Sequence, residues 1–137
     1  MKEPNPNSRS AFQAIRAIDY TVIFVRDMAV MRRFYEDILG FSLARELSPG
    51  WLEYRVGDNT LALARPSLTA GDVPTPHGSA SLQLAFRVSA SEVDQCADEL
   101  VRQGVHLLSP PTDRAFGHRT LFFRDPDGNL LEVFADI

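Results

Sequence analysis

Glu132 stands in the run Asn129-Leu130-Leu131-Glu132-Val133-Phe134. Strand alternation puts it on one face with Leu130 and Phe134, and puts Leu131 and Val133 on the other. A carboxylate between two large apolar neighbours either lines a pocket or has a cationic partner, because an unpaired buried charge costs several kcal/mol. In a pocket it anchors a ligand's donor groups or acts as a general base. With a partner it is a structural acid, and Arg119 or Arg124 is then that partner. Trp51 and Tyr54 are close enough in sequence to wall a planar ligand, but a separation of three puts them on opposite faces of a regular strand, so core packing is the role of at least one. Phe116 and His118 follow a Pro-rich loop, and His118 shares its strand face with Thr120 and Phe122. Cys96 falls on the apolar stripe of a helix, as a core residue rather than a nucleophile. The chain has no Gly-rich phosphate loop, no Ser-His-Asp order and no CxxC.

The elements that must position these residues are legible in order. Residues 18–25 (IDYTVIFV) predict a strand, and Asp27 is an N-cap. Val30, Met31, Phe34, Tyr35, Ile38 and Leu39 recur at helical spacing up to Gly40, a C′ glycine. Strands are expected at 41–45, 51–56 and 60–64, separated by Ser48-Pro49-Gly50 and Gly57-Asp58-Asn59. Residues 65–78 hold three prolines and two glycines and read as a linker. A strand at 81–88 follows, then the capping box Ser89-x-x-Glu92 and a helix with its stripe at Val93, Cys96, Ala97, Leu100 and Val101, ending at Gly104. Residues 105–108 predict a short strand and 109–113 a rigid loop. A hairpin of 119–124 and 129–134 closes the chain around Asp125-Pro126-Asp127-Gly128-Asn129, where Pro presets φ, Gly accepts φ > 0 and the Asp and Asn side chains bond back to the backbone.

The order is β-α-β-β-β twice. Val25 matches Val88, Gly40 matches Gly104 and Asn59 matches Asn129, so the offset grows from 63 through 64 to 70. Neither half hides both faces of its sheet alone. The expected class is α+β: two βαβββ modules forming a curved, mostly antiparallel eight-stranded sheet cleft with helices outside. The divisions are an N-terminal arm at 1–16, turning helical around 11–17, a first module at 17–66, a linker at 67–78 and a second module at 79–137, all in one structural domain.

Composition narrows the partners. Of 137 residues 45% are apolar, enough for a globular core without a staple. The formal charge is −4, from 14 basic and 18 acidic residues without a basic run, which disfavours nucleic acid and anionic membrane. No apolar run reaches the roughly 18 residues of a membrane span. One cysteine excludes an intrachain disulfide, and the first residues lack a signal-peptide core, so a cytoplasmic protein is expected.

Three local patterns on this repeat resemble the vicinal oxygen chelate superfamily, which includes glyoxalase I, extradiol dioxygenases, fosfomycin-resistance enzymes and bleomycin-resistance binding proteins. They are Ile18-Asp19-x-x-Val22 through Val25-Arg26-Asp27 to Phe34-Tyr35-x-x-x-Leu39-Gly40; Leu84-Ala85-Phe86-Arg87-Val88; and Asp125-Pro126-Asp127-Gly128-Asn129-x-x-Glu132. The resemblance implies four ligand positions on symmetric strands, held here by Tyr20, Ala62, Gln83 and Glu132. It also implies substrate contacts around Phe116 and His118. The four positions suit a transition metal poorly: one carboxylate, one neutral amide oxygen and a phenol whose ordinary pKa is about 10. No metal or other cofactor is therefore expected. If a divalent ion is present, Gln83, Glu132 and His118 hold it.

The leading expectation is a glyoxalase/bleomycin-resistance-like binder of a small, partly apolar molecule, built as a homodimer, with Tyr20, Trp51, Gln83, Phe116, His118 and Glu132 touching the ligand. One alternative is a metal-dependent or metal-free lyase, isomerase or dioxygenase, with Glu132 as base and Tyr20 as acid or donor. The other is a non-catalytic accessory module.

Overall fold

The same βαβββ unit is built twice along the chain. The computed structural model describes residues 10–137; the part of the expected N-terminal arm at 1–9 lies outside the described residues. A single 3₁₀ turn at Ala11–Ala14, capped by Ser10, stands where a helical segment was expected. The first unit is β1 (Tyr20–Phe24), α1 (Met28–Arg33), β2 (Ser42–Ser48), β3 (Trp51–Val56) and β4 (Asn59–Ala64). A short helix, α2 (Ser67–Ala70), lies in the connection. The second unit is β5 (Gln83–Arg87), α3 (Ala90–Arg102), β6 (Leu107–Asp113), β7 (His118–Arg124) and β8 (Leu130–Asp136).

Local chemistry explains the boundaries. Asp27 caps α1, its Oδ1 accepting from the Val30 N–H at 3.2 Å. Beyond Arg33 the helix widens into one turn, Phe34–Ile38, where the Leu39 N–H reaches back five residues to the Phe34 carbonyl. Gly40, at φ 71°, then reverses the chain. In α3 the Ser89 N–H donates to Glu92 at 3.1 Å, and Val93, Ala97 and Leu100 are its buried stripe. The repeat is visible in single bonds: the Val25 N–H reaches the Ala64 carbonyl and the Val88 N–H reaches the Phe134 carbonyl, both at 2.9 Å.

Several bounds move by a few residues, β2 running on to Ser48 for one, and the largest change is in β6. Residues 109–113, expected as a loop, continue β6 through Pro110 and Pro111. A strand tolerates proline where no ladder bond is asked of it. β6 pairs only with β7, at the edge of its sheet, and the register slips between Ser109 and Thr112 around the two prolines.

The eight strands form two four-stranded sheets, ordered β1-β4-β3-β2 and β5-β8-β7-β6. Each has one parallel pair, β1 with β4 and β5 with β8, and is otherwise antiparallel. No ladder joins β1 to β5. One groove brings residues 18–21 beside Leu84–Arg87 and another brings 22–24 beside Ser81 and Leu82, so the two edges run side by side in opposite directions.

One core unites the modules. Ile23, Leu61, Leu63 and Tyr54 of the first sheet meet Leu121, Phe123, Leu131 and Val133 of the second, with Met31, Phe34, Tyr35, Val93, Ala97 and Leu100 from the helical segments. Phe34 packs on Phe123 and Phe41 on Phe86, with ring centroids 6.3 and 5.6 Å apart. A polar latch crosses the same boundary: the Tyr35 hydroxyl donates to Asp125 at 2.8 Å, and the Arg26 N–H donates to Asp127 at 2.9 Å. Among the described residues no helix is long and apolar enough to cross a membrane.

Candidate functional site

The helices cover one face of each sheet, and strand alternation leaves the other face for function. On the first sheet the open face carries Tyr20, Val22 and Phe24 of β1, Thr60, Ala62 and Ala64 of β4, and Trp51, Glu53 and Arg55 of β3. On the second it carries Gln83, Ala85 and Arg87 of β5, Leu130, Glu132, Phe134 and Asp136 of β8, and His118, Thr120 and Phe122 of β7. Val22 pairs with Ala62 and Ala85 pairs with Glu132. The register thus places Tyr20 and Ala62 in the first module just where Gln83 and Glu132 stand in the second.

Glu132 is half-buried on this face, and its hydrogen-bond partner is the Gln83 amide at 3.3 Å. Neither arginine proposed as a structural partner reaches it. Arg119 points to the helix side, where it binds Asp113, Asp94 and the Ala90 carbonyl. Arg124 donates to the Gly128 carbonyl. The wall around Glu132 is apolar and aromatic: Leu130 and Phe134 along its strand, Phe122 directly across.

A second cluster sits lower on the same face. Asp136 receives Arg87 on one oxygen at 2.6 Å and faces the His118 Nε2 with the other at 3.2 Å. Both side chains lie on the Phe134 ring, Arg87 4.7 Å and His118 4.8 Å from its centroid. Phe116, 74% exposed, meets His118 edge-on. His118 therefore belongs to the open face, held by Asp136.

On the first sheet the polar group is Glu53, which sequence reasoning passed over. Its Oε2 accepts from the Trp51 indole at 2.7 Å and from Arg45 at 3.0 Å. The Trp51 N–H, helped by Arg45 and opposed by partial burial, holds the Glu53 carboxyl below the usual range. The signal for it was the alternation of Trp51-Leu52-Glu53-Tyr54: once Tyr54 points inward, Glu53 must share the face of Trp51. Tyr20 stacks edge-on against Trp51 at 6.0 Å and lines a groove of about 590 Å³ with Ala85 and Arg87. No hydrogen bond links it to Gln83 or Glu132 among the described residues. Tyr54 is in the core, fully buried, and Ala62 is covered.

Cys96 is half-buried on α3, away from this face, and burial pushes its thiol up, so it lacks the makings of a nucleophile.

The donors at the four repeat positions suit a metal poorly. The four repeat positions offer a phenol, a methyl group, an amide and one carboxylate. Among the described residues no three His, Cys, Asp or Glu side chains converge closely enough to hold an ion. A divalent transition ion calls for three or four such ligands.

The comparisons agree with this architecture. Residues 17–133 match the family model described as the glyoxalase/bleomycin resistance protein/dioxygenase superfamily. Virulence protein STM3117 of Salmonella typhimurium is 30% identical over 125 residues, 87% of this chain and 83% of that protein. Its crystal structure superposes with a TM-score of 0.71 at 29% identity, over 90% of this chain and 98% of that one. A glyoxalase/bleomycin resistance protein/dioxygenase from Nocardioides gives a TM-score of 0.77 at 24% identity, covering 90% and 86% of the two chains. A lactoylglutathione lyase from Agrobacterium tumefaciens gives 0.73 at 23%, covering 89% and 95%; at these identities the last two show the fold alone. With its family match spanning nearly the whole chain and its repeat reproduced strand by strand, this protein belongs to the glyoxalase/bleomycin resistance protein/dioxygenase superfamily.

Proposed function

We propose that the protein is a cytoplasmic binder of a small, partly apolar molecule, which it takes up on the open sheet face without a resident metal. The observation that carries this reading is Glu132. It is a half-buried carboxylate on a wall of Leu130, Phe134 and Phe122, answered by a neutral amide and, among the described residues, by no cation. Such a wall supplies apolar contact, and Glu132 with Gln83 supplies a directional anchor for a hydroxyl or N–H group. The mismatch between the repeat positions and a metal's needs supports binding over Lewis-acid chemistry.

Two copies placed face to face would enclose the ligand. The first sheet offers Tyr20 and Phe24, 50% and 45% exposed, as apolar surface for such a contact. The homodimer is part of the proposal.

A thermal-shift screen of small aromatic and polyoxygenated compounds tests the reading, since a bound ligand stabilises by RT ln(1 + [L]/Kd). The expected result is a shift with some of them that Glu132→Gln abolishes, together with substoichiometric metal in protein purified without chelator. A stoichiometric transition metal bound through Glu132 would sink it.

A further inference from the structure

Of the twelve arginines whose exposure is described, three are half-buried: Arg32, Arg114 and Arg119. Arg32 is paired with Glu36 and Glu46, and Arg119 with Asp113 and Asp94. Arg114 has no carboxylate within ion-pair distance among the described residues. Its partners are hydroxyls: its Nε donates to Thr120 Oγ1 at 3.0 Å and its NH2 to Ser109 Oγ at 3.2 Å. A guanidinium drawn partly out of water without a counter-charge is a cost the fold carries unless something else answers it.

Position says what answers it. Ser109 pairs with Phe122 and Thr120 with Phe134, so both hydroxyls, and the guanidinium they hold, belong to the open face that carries Glu132. The backbone is fixed too, because the Arg114 N–H donates to the His118 carbonyl at 2.7 Å at the neck of the β6–β7 hairpin. Of five guanidinium N–H groups two are used, which leaves three in a rigid fork. On the second sheet's half of this face Arg87 is already engaged by Asp136, which the His118 ring also meets.

We propose that Arg114 is the docking point for an oxyanion, and that the ligand is therefore a small organic acid or phosphate ester with an apolar body. The acid group meets Arg114 in a two-point contact. The body lies on Phe122 and Phe134, and a hydroxyl or amine at the far end reaches Glu132. This rests on the reading of the open face as a ligand face and names the ligand's class.

The test compares phenylacetate and phenyl phosphate with neutral phenylacetamide, by thermal shift on the full chain in low-salt buffer. Either acid is expected to stabilise the protein while the amide does not, and added chloride weakens the effect. Arg114→Gln is expected to cut acid affinity on the order of 10- to 100-fold, the worth of a charge-assisted hydrogen bond. Arg114→Lys, which keeps the charge without the fork, is expected to lose less. Arg114→Gln also strips Thr120 of its donor and can weaken the fold; the acid-against-amide comparison and the Lys variant do not depend on it. If the amide stabilises as strongly as the acids, or Arg114→Gln binds acid normally, the inference falls and the binder reading stands. If no compound of any charge shifts the wild-type protein, the binder reading falls and takes the inference with it.

Discussion

The middle row of four side chains across each open face carries a carboxylate, and the two rows answer that charge differently. In the first the row is Val22, Ala62, Glu53 and Arg45; in the second it is Ala85, Glu132, Phe122 and Ser109. The first carboxylate stands on β3 and the second on β8, one strand over in the repeat. Glu53 is closed by an indole N–H and an arginine, whereas Glu132 has a single amide. The repeat keeps the backbone and moves the charge. The first module finished its polar group within the fold and the second left its own open. Arg114, also unanswered, lies on the same second sheet.

The β-turns of the last hairpins give the largest contrast. In the second module Asp125 is 4% exposed and accepts from the Tyr35 hydroxyl, the Asp127 and Asn129 N–H groups and the Asn129 amide. The first module's turn, Gly57-Asp58, stands in solvent. Asp125→Ala strands several buried donors at once and is expected to cost about 3 kcal/mol or more in urea unfolding. Asp58→Ala is expected to stay within about 0.5 kcal/mol. Equal losses would show that the latch between modules does not hold the fold.

The two glutamates should separate next. Glu53→Gln removes the anion that Trp51 and Arg45 both address, and is expected to cost about 1–2 kcal/mol. Because the folded Glu53 pKa is depressed, its contribution is complete above the unfolded value of about 4.3 and is lost as pH falls through the folded one. The wild-type loss on acidification should shrink in Glu53→Gln. Glu132→Gln is expected to change stability by less than about 0.5 kcal/mol while ligand affinity falls at least roughly tenfold. A stability loss in Glu132→Gln matching that in Glu53→Gln would make both structural.

The sequence showed this contrast only in part. Alternation placed Glu132 with Leu130 and Phe134, and the glycines with positive φ, Gly40 and Gly104, marked the same point in both modules. Apolar periodicity is a local signal, and the fold followed it. The site depends on long-range pairings. That Glu53 would meet Arg45 required the β2–β3 register, which slips twice. That β6 would run through two prolines required knowing it was an edge. Asp136 and Arg114 became visible only when the hairpin folded them onto the face of Glu132.

The last comparison concerns two buried phenols, one on the first helical segment and one on β3. Tyr35 and Tyr54 are both fully buried, stacked with centroids 6.2 Å apart. Burial pushes both hydroxyls up, joined for Tyr35 by the Asp125 carboxylate and for Tyr54 by Glu36. The folded state therefore holds phenolic protons that the unfolded chain releases near pH 10, so their stability is whole below that pH and is lost as pH rises, by up to about 1.4 kcal/mol per unit per phenol. Only Tyr35 has a partner; the Tyr54 hydroxyl is buried with none among the described residues. Tyr35→Phe is expected to cost about 1–3 kcal/mol at neutral pH, because Asp125 loses a donor. Tyr54→Phe removes an unanswered hydroxyl and keeps the ring, so it is expected to be neutral or to stabilise by up to about 1 kcal/mol. Each variant should also flatten the alkaline loss by one phenol's share. Destabilisation in Tyr54→Phe would mean that its hydroxyl has a partner, most simply a water held among Arg32, Glu36 and Glu46.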